Sequence, residues 1–234
     1  MKFEILNSSV TESNTDSICI PYYKNNDKNT DLNSANKSID NILNDLEKRK
    51  QISSNIGAIT NIYTLNKLNS KQLILVGMGD EKDLNYEKIR KASGTLGRFL
   101  NTMKNNSTSI IIPGAGNDNL EFNETVDAIS QGLMLGTYKY DKFKTKKTPN
   151  TLSEINLINS SNNTKVSNTY NFEKIVNESN SINLVRNLIN EPPNYMNPDE
   201  LENIAKDIVQ NSELNLSVLN VKEMEELGME VILG

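Results

Sequence analysis

The sequence predicts an α/β fold, a mixed sheet flanked by helices, followed by the opening of a second α/β domain. Three observations carry this. Short apolar runs bounded by turn residues alternate with longer segments whose apolar residues recur at helical spacing. One run, Leu73-Ile74-Leu75-Val76, is apolar throughout, as in a strand buried on both faces. The last 52 residues, Asn183 to Gly234, read as helix, double proline, capped helix, strand and helix.

Strands are expected at Phe3–Leu6, Ser17–Tyr22, Ile59–Leu65, Gln72–Val76, Ser109–Ile112 and Glu154–Ile158. Between them, Ile39, Ile42, Leu43 and Leu46 make one helical stripe. Ile89, Ala92, Leu96, Phe99, Leu100 and Met103 make a longer one, and Val126, Ile129 and Leu133 mark a third between Phe122 and Tyr138. Residues 159–168 are polar and turn-rich and read as a linker. A helix over Phe172–Ile189 must end before Pro192 and Pro193, because neither proline continues it.

The next helix has a clear start. Asn197 suits the N-cap, Pro198 the first helical position, and Asp199 and Glu200 put acid in the first turn. Leu201, Ile204, Ala205, Ile208 and Val209 form its apolar stripe. Leu214–Leu219 alternates as a strand, and Asn220 with Glu223 opens a short helix that Gly228 can end. The domains follow: 1–165, a linker helix over 166–190, and the incomplete start of another domain over 191–234.

Composition narrows the function. Net charge is −5, which argues against non-specific nucleic-acid binding by the whole chain. About one residue in six is asparagine, dispersed among periodic apolar positions, a drift without functional content. There is no histidine, which removes Ser-His-Asp and Cys-His catalysis and histidine metal ligation. The one cysteine, Cys19, sits in an apolar run and reads as a buried, inert thiol. No apolar run approaches the ~20 residues of a membrane span, and no signal peptide is visible, so a cytoplasmic location is the expectation.

Several motifs invite a functional reading and each has a plainer one. Gly77-Met78-Gly79 follows a strand and precedes a helix, but Lys82 stands where G-x-G-x-x-G needs its third glycine; a strand-to-helix turn is the plainer reading. Pro113-Gly114-Ala115-Gly116 also follows a strand and can mark a ligand crevice or a simple turn. Lys142, Lys144, Lys146 and Lys147 interleave with Tyr138, Tyr140 and Phe143; this suits a single-stranded nucleic acid or a solvated loop, and Asp141 and the acidic total favour the loop. The carboxylate pairs Asp199/Glu200 and Glu225/Glu226 lie on polar helix positions. The triplets Asn14–Asp16 and Asn29–Asp31 read as polar loops.

The segments NLVRNLINEPPNYMNPDEL (Asn183–Leu201) and VLNVKEMEELGM (Val218–Met229) resemble the start of the catalytic domain of the leucyl (cytosol) aminopeptidase family. ILVGMGDEKDLNYEKIRKASGTLGR (Ile74–Arg98) resembles that family's V-G-L-G turn and following helix. QGLMLGTYKYDKFKTKK (Gln131–Lys147) resembles its E-G-x-x-L-G-x-Y-x-F-D-x-Y-K-T-K-K stretch. The resemblance covers most of the chain from about Ile59 onward.

It implies a macro-like N-terminal domain, a linker helix and a catalytic domain through which hexamers assemble. It also implies two divalent ions (zinc, manganese or magnesium) held by carboxylates and a lysine, with a second lysine and an arginine assisting. Their bridging water would attack the N-terminal peptide bond. The family's metal-binding blocks, K-G-x-T-F-D-[ST]-G-G and N-T-D-A-E-G-R, occur nowhere in the chain. No catalytic, metal or cofactor-binding residue is therefore assigned, and those blocks are expected after Gly234. The intact protein is expected to cleave peptides, and this portion alone to be inactive. The alternatives are a macro-like module that binds a nucleotide or ADP-ribose at the glycine loops, or a non-catalytic interaction domain, including one contacting DNA. The apolar residues after Pro193 are expected to be under-buried.

Overall fold

A computed structural model describes residues 1–114, 117, 119–147, 149–160, 170–210 and 212–233. The chain forms two compact units, Met1–Asn183 and Leu184–Gly234.

In the first unit, strands β1 (Lys2–Leu6), β2 (Ser17–Tyr23), β3 (Ile59–Tyr63), β4 (Gln72–Gly79), β5 (Ser107–Ile111) and β6 (Glu154–Ile158) make one sheet, in the order β1-β6-β5-β2-β4-β3. Every pairing is parallel except β3 with β4, so the sheet is mixed. Helices α1 (Thr30–Ser38) and α2 (Ile42–Lys48) follow β2. Helix α3 (Tyr86–Met103) joins β4 to β5, and α4 (Phe122–Gly136) lies between β5 and β6.

The apolar run of β4 is buried on both faces because side chains alternate across a strand. Leu73 and Leu75 face a core with Ile18, Ile20, Leu32, Ala35, Ile39 and Leu43. Ile74 and Val76 face the other core, with Ile89, Leu96, Leu100, Ile129 and Leu133. The sheet thus separates α1 and α2 from α3 and α4. The predicted stripes of α3 and α4 are the buried ones: Ile89, Ala92, Leu96 and Leu100 on the former, Val126, Ile129 and Leu133 on the latter. The two helices approach closely because Gly136 carries no side chain; a Cβ there would meet the Gly94 carbonyl oxygen at 2.2 Å.

Three expectations are corrected. The stripe from Ile39 to Leu46 is not one helix. Asp40 and Asn41 take left-handed backbone angles, φ 58° and 57°, and break it. A separate helix, α1, forms from residues that looked like polar loop. The Asn29 side chain caps it, accepting from the Leu32 N–H at 3.0 Å, and only Leu32 and Ala35 are buried within it. Two apolar contacts in nine residues are too few for periodicity to reveal.

Gly77-Met78-Gly79 is not a turn after β4 but its last part. Gly77 donates to the Ala58 carbonyl at 2.8 Å, and Gly79 to that of Ser54 at 2.7 Å. The backbone of residues 53–58 lies directly over the glycine, which explains why no side chain is tolerated there.

In the second unit, Leu214–Leu219 forms no strand; the residues are exposed and without regular structure. Alternation describes a strand only where a neighbour completes the ladder and covers one face. The helices agree with their caps. After the end of α5 (Glu173–Asn190), α6 (Pro198–Gln210) begins with Glu200 N–H donating to Asn197 Oδ1 at 2.9 Å. α7 (Val221–Glu226) has a full capping box between Asn220 and Glu223, and Gly228 past its end has φ 69°. A four-residue helix α8 (Glu230–Leu233) follows. Of the predicted linker, residues 161–168 lie outside the described residues.

Candidate functional site

A cavity of about 670 Å³ opens at the carboxyl ends of β2, β4 and β5. The topology puts it there. β2 sits between β4 and β5, and the chain leaves β4 to cross over and pair β5 on the other side of β2. In open parallel sheets such a switch point leaves a crevice beyond the strand ends.

Each wall has a local cause. β2 ends in Pro21-Tyr22-Tyr23, and Tyr23 is 5% exposed. Its phenol oxygen accepts from the Gly114 N–H at 2.9 Å. Burial pushes the phenol well above its usual range, so it stays neutral and keeps a proton to donate. Gly114, with φ 75°, turns the chain after β5. Opposite, the Asn29 Nδ2 donates to the Pro21 carbonyl at 2.9 Å while its Oδ1 caps α1, so one side chain ties the helix start to the strand end. Asp31 accepts from Ser160 Oγ at 2.6 Å.

Lys28, Lys82 and Glu81 complete a rim carrying both charge signs. The arrangement can hold a polar ligand.

The residues singled out from sequence are dispersed. Gly77 and Gly79 are packed against residues 53–58 and do not line this cavity; Gly114 does, and Ala115 and Gly116 lie outside the described residues. Asp199 and Glu200 stand in the exposed first turn of α6, and Glu225 and Glu226 on exposed positions of the second unit. Lys142, Lys144, Lys146 and Lys147 are exposed, with the Lys142 ammonium 5.6 Å from the Phe143 ring centre. Among the described residues, no three His, Cys, Asp or Glu side chains gather as a metal site. The two metal ions implied by the resemblance therefore do not fit the donors present. Cys19 is fully buried, its thiol pushed up to about 12 by desolvation. Sequence reasoning missed Tyr23 and Asn29. The signal was there: an asparagine followed by Thr-Asp is an N-cap pattern, and Pro-Tyr-Tyr closes a buried strand.

Comparison with known proteins gives two matches in tandem. Residues 19–147 match the cytosol aminopeptidase family, N-terminal domain, and residues 183–234 match the cytosol aminopeptidase family, catalytic domain. A probable cytosol aminopeptidase of Clostridium perfringens is 31% identical over 99% of this chain and 46% of its own length. One from Alkaliphilus oremlandii is 27% identical over 100% of this chain and 47% of its own length. The chain thus spans about half the length of the curated relatives it matches. Among solved structures, a tomato leucine aminopeptidase mutant superposes with a TM-score of 0.80 at 17% identity, covering 97% of this chain and 46% of its own. The bottromycin maturation enzyme BotP in complex with Mn gives 0.67 at 15%, covering 92% and 40%. Both likenesses concern the fold.

Proposed function

The chain belongs to the cytosol aminopeptidase family, and on that premise we propose that it is part of a metal-dependent aminopeptidase releasing N-terminal residues, leucine by preference, from peptides. One observation carries the reading: the family's N-terminal and catalytic domains match in that order along a single chain. The similarity to relatives called cytosol aminopeptidases across nearly the whole chain supports it.

In this reading residues 1–165 are the accessory domain, 166–190 the linker helix, and 191–234 the first part of the catalytic domain. The chain supplies the frame and not the chemistry. The family's lysine–aspartate and N-T-D-A-E-G-R blocks are absent from its sequence, and the described carboxylates do not converge. The catalytic and metal residues belong to the enzyme outside these 234 residues, with two divalent ions such as manganese or zinc. The enzyme is a cytoplasmic homo-hexamer acting on peptides, without membrane or nucleic-acid partners. The test is hydrolysis of leucine p-nitroanilide with added manganese by the purified chain. No turnover is expected, and turnover above the blank overturns the assignment of its residues.

A second reading is favoured by the cavity beside Gly114 and Tyr23: the N-terminal domain holds a polar ligand there, of nucleotide or ADP-ribose type. Calorimetry with ADP-ribose decides it, and absence of heat at millimolar ligand removes it.

A further inference from the structure

Strand β3 lies at one edge of the sheet and pairs only with β4. Two bonds beyond its ends fix which backbone groups face β4. The Thr64 N–H donates to the Lys71 carbonyl at 3.0 Å, and the Gly77 N–H to the Ala58 carbonyl at 2.8 Å. Bonding alternates along an antiparallel strand, so Thr60 and Ile62 also bond toward β4. Ile59, Asn61 and Tyr63 therefore turn their N–H and C=O groups outward. Among the described residues, nothing bonds to those groups.

The faces of β3 are in use, and the edge is what remains open. Ile59 packs toward one core and Ile62 toward the other, while Tyr63 is 61% exposed. Open edges template further strands, and proteins guard them with charge, proline or a bulge. The opposite edge, β1, carries Lys2 and Glu4, paired with each other. β3 has no such guard. From Gln51 to Asn66 no residue is charged and none is proline, in a chain that is 24% charged. Its register with β4 runs without a bulge.

This edge is complementary to itself. A second copy set antiparallel about a two-fold axis at Asn61 puts Asn61 opposite Asn61 and Ile59 opposite Tyr63. All of these residues face outward, so each opposition is a hydrogen-bonded pair and every free N–H meets a free C=O. The side chains agree. Ile59 meets Tyr63 on one face and Thr60 meets Ile62 on the other, the β-branched and aromatic pairs that stabilise adjoining strands. A slip of one residue sets outward groups against groups already bonded to β4.

We propose that two copies of this chain join through their β3 edges, about a two-fold axis at Asn61, into one continuous sheet. Each copy spends its β3 edge on the contact, so the symmetry closes and this association stops at the dimer. One strand pair is small beside the ~1,200 Å² of a stable interface, so the dimer is weak and exchanges. The contact lies wholly in the first unit. It depends neither on the aminopeptidase reading nor on the exposed apolar residues of the second unit.

The experiment is residue-resolved amide exchange on the 234-residue chain at low micromolar and near-millimolar concentration, with sedimentation velocity alongside. The amides of Ile59, Asn61 and Tyr63 are expected to slow by about tenfold or more at the higher concentration. Those of Thr60 and Ile62, already bonded to β4, are expected to stay as they are. Tyr63→Lys puts an ammonium against the Ile59 of the other copy. It keeps the Tm and returns the amides of Ile59 and Asn61 to their low-concentration rates, whereas Tyr63→Phe keeps the dimer. Exchange at Ile59, Asn61 and Tyr63 that ignores concentration overturns the proposal, whether the chain stays monomeric or associates elsewhere. So does slowing that survives Tyr63→Lys. Slow exchange at these amides already at low concentration points to a different strand on the edge and also overturns it. The unaltered chain decides the matter even if Tyr63→Lys fails to fold.

Discussion

Gly77 and Asn55 touch backbone to backbone: a Cβ at position 77 would sit 2.1 Å from the Asn55 carbonyl oxygen. The glycine is required by the strand's cover, and phosphate binding need not be invoked. Gly77→Ala must displace residues 53–58, which cap β4 through the Gly77–Ala58 and Gly57–Gly77 hydrogen bonds. It is expected to cost about 2–3 kcal/mol, the scale of overpacking, measured by urea denaturation. A loss below ~0.5 kcal/mol would show that the cover is loose.

Gly136→Ala makes a matching test on the helical layer. The new methyl would press on the Gly94 backbone at 2.2 Å, and both atoms belong to helices that cannot bend away singly. A loss of about 2–3 kcal/mol is expected here too. Gly228→Ala, whose Cβ would meet nothing within 4 Å, pays only the φ 69° strain and should cost about 1 kcal/mol of local helix stability.

Asn29 performs two tasks with one side chain, so its variants separate them. Asn29→Ala loses the α1 cap and the tie to Pro21, and about 1–2 kcal/mol of stability is expected to go. Asn29→Asp keeps the cap acceptor but loses the donor, and should fall between. If Asn29→Ala and Asn29→Asp are equally destabilising, the cap contributes nothing.

Cys19 sets an alkaline limit. Its folded thiol is held up to about 12 against an ordinary value of 9.0, because burial disfavours the thiolate. Between those values the unfolded chain releases the proton and the folded chain keeps it. Stability is therefore intact below about pH 9 and falls as pH rises from 9 toward 12, by a few kcal/mol at most on the order-of-magnitude scale of such shifts. Cys19→Ala should flatten that part of the stability–pH curve. The native thiol should resist a disulfide reagent at pH 8 and react on unfolding.

Much of the sheet could be read from sequence because the core is made of uninterrupted patterns. β4 and the stripes of α3 and α4 owe their burial to apolar residues at fixed periods, and the α6 and α7 starts to side-chain caps. The misses have the opposite character. α1 has two buried side chains and is marked chiefly by its Asn29 cap. The bend at Asp40 and Asn41 is a backbone event inside an apolar stripe. The role of Gly77 depends on residues 53–58 crossing from a distant loop. The strand-end cavity likewise exists only once β2 lies between β4 and β5, a pairing across more than fifty residues that local pattern does not encode.

The second unit exposes much of its apolar surface. Leu201, Ile208, Leu214, Leu216 and Val218 are 40–64% exposed, against 0–2% for Leu73–Val76. Ile204 is half-buried. Amide exchange over 199–233 is expected to be faster than over 73–76, and sedimentation of the chain to show association that rises with concentration. Exchange as slow in 199–233 as in β4 would contradict this.

The central claim is that this chain is the frame of an aminopeptidase whose reacting groups lie elsewhere in the enzyme. It is tested most directly by p-nitroaniline release from leucine p-nitroanilide by a folded chimera. In it, this chain is joined to the part of the Clostridium perfringens relative that follows the aligned region. Manganese-dependent turnover by the chimera, with none from the chain alone, is the predicted result. A folded chimera without turnover, or turnover by the chain alone, would contradict the account.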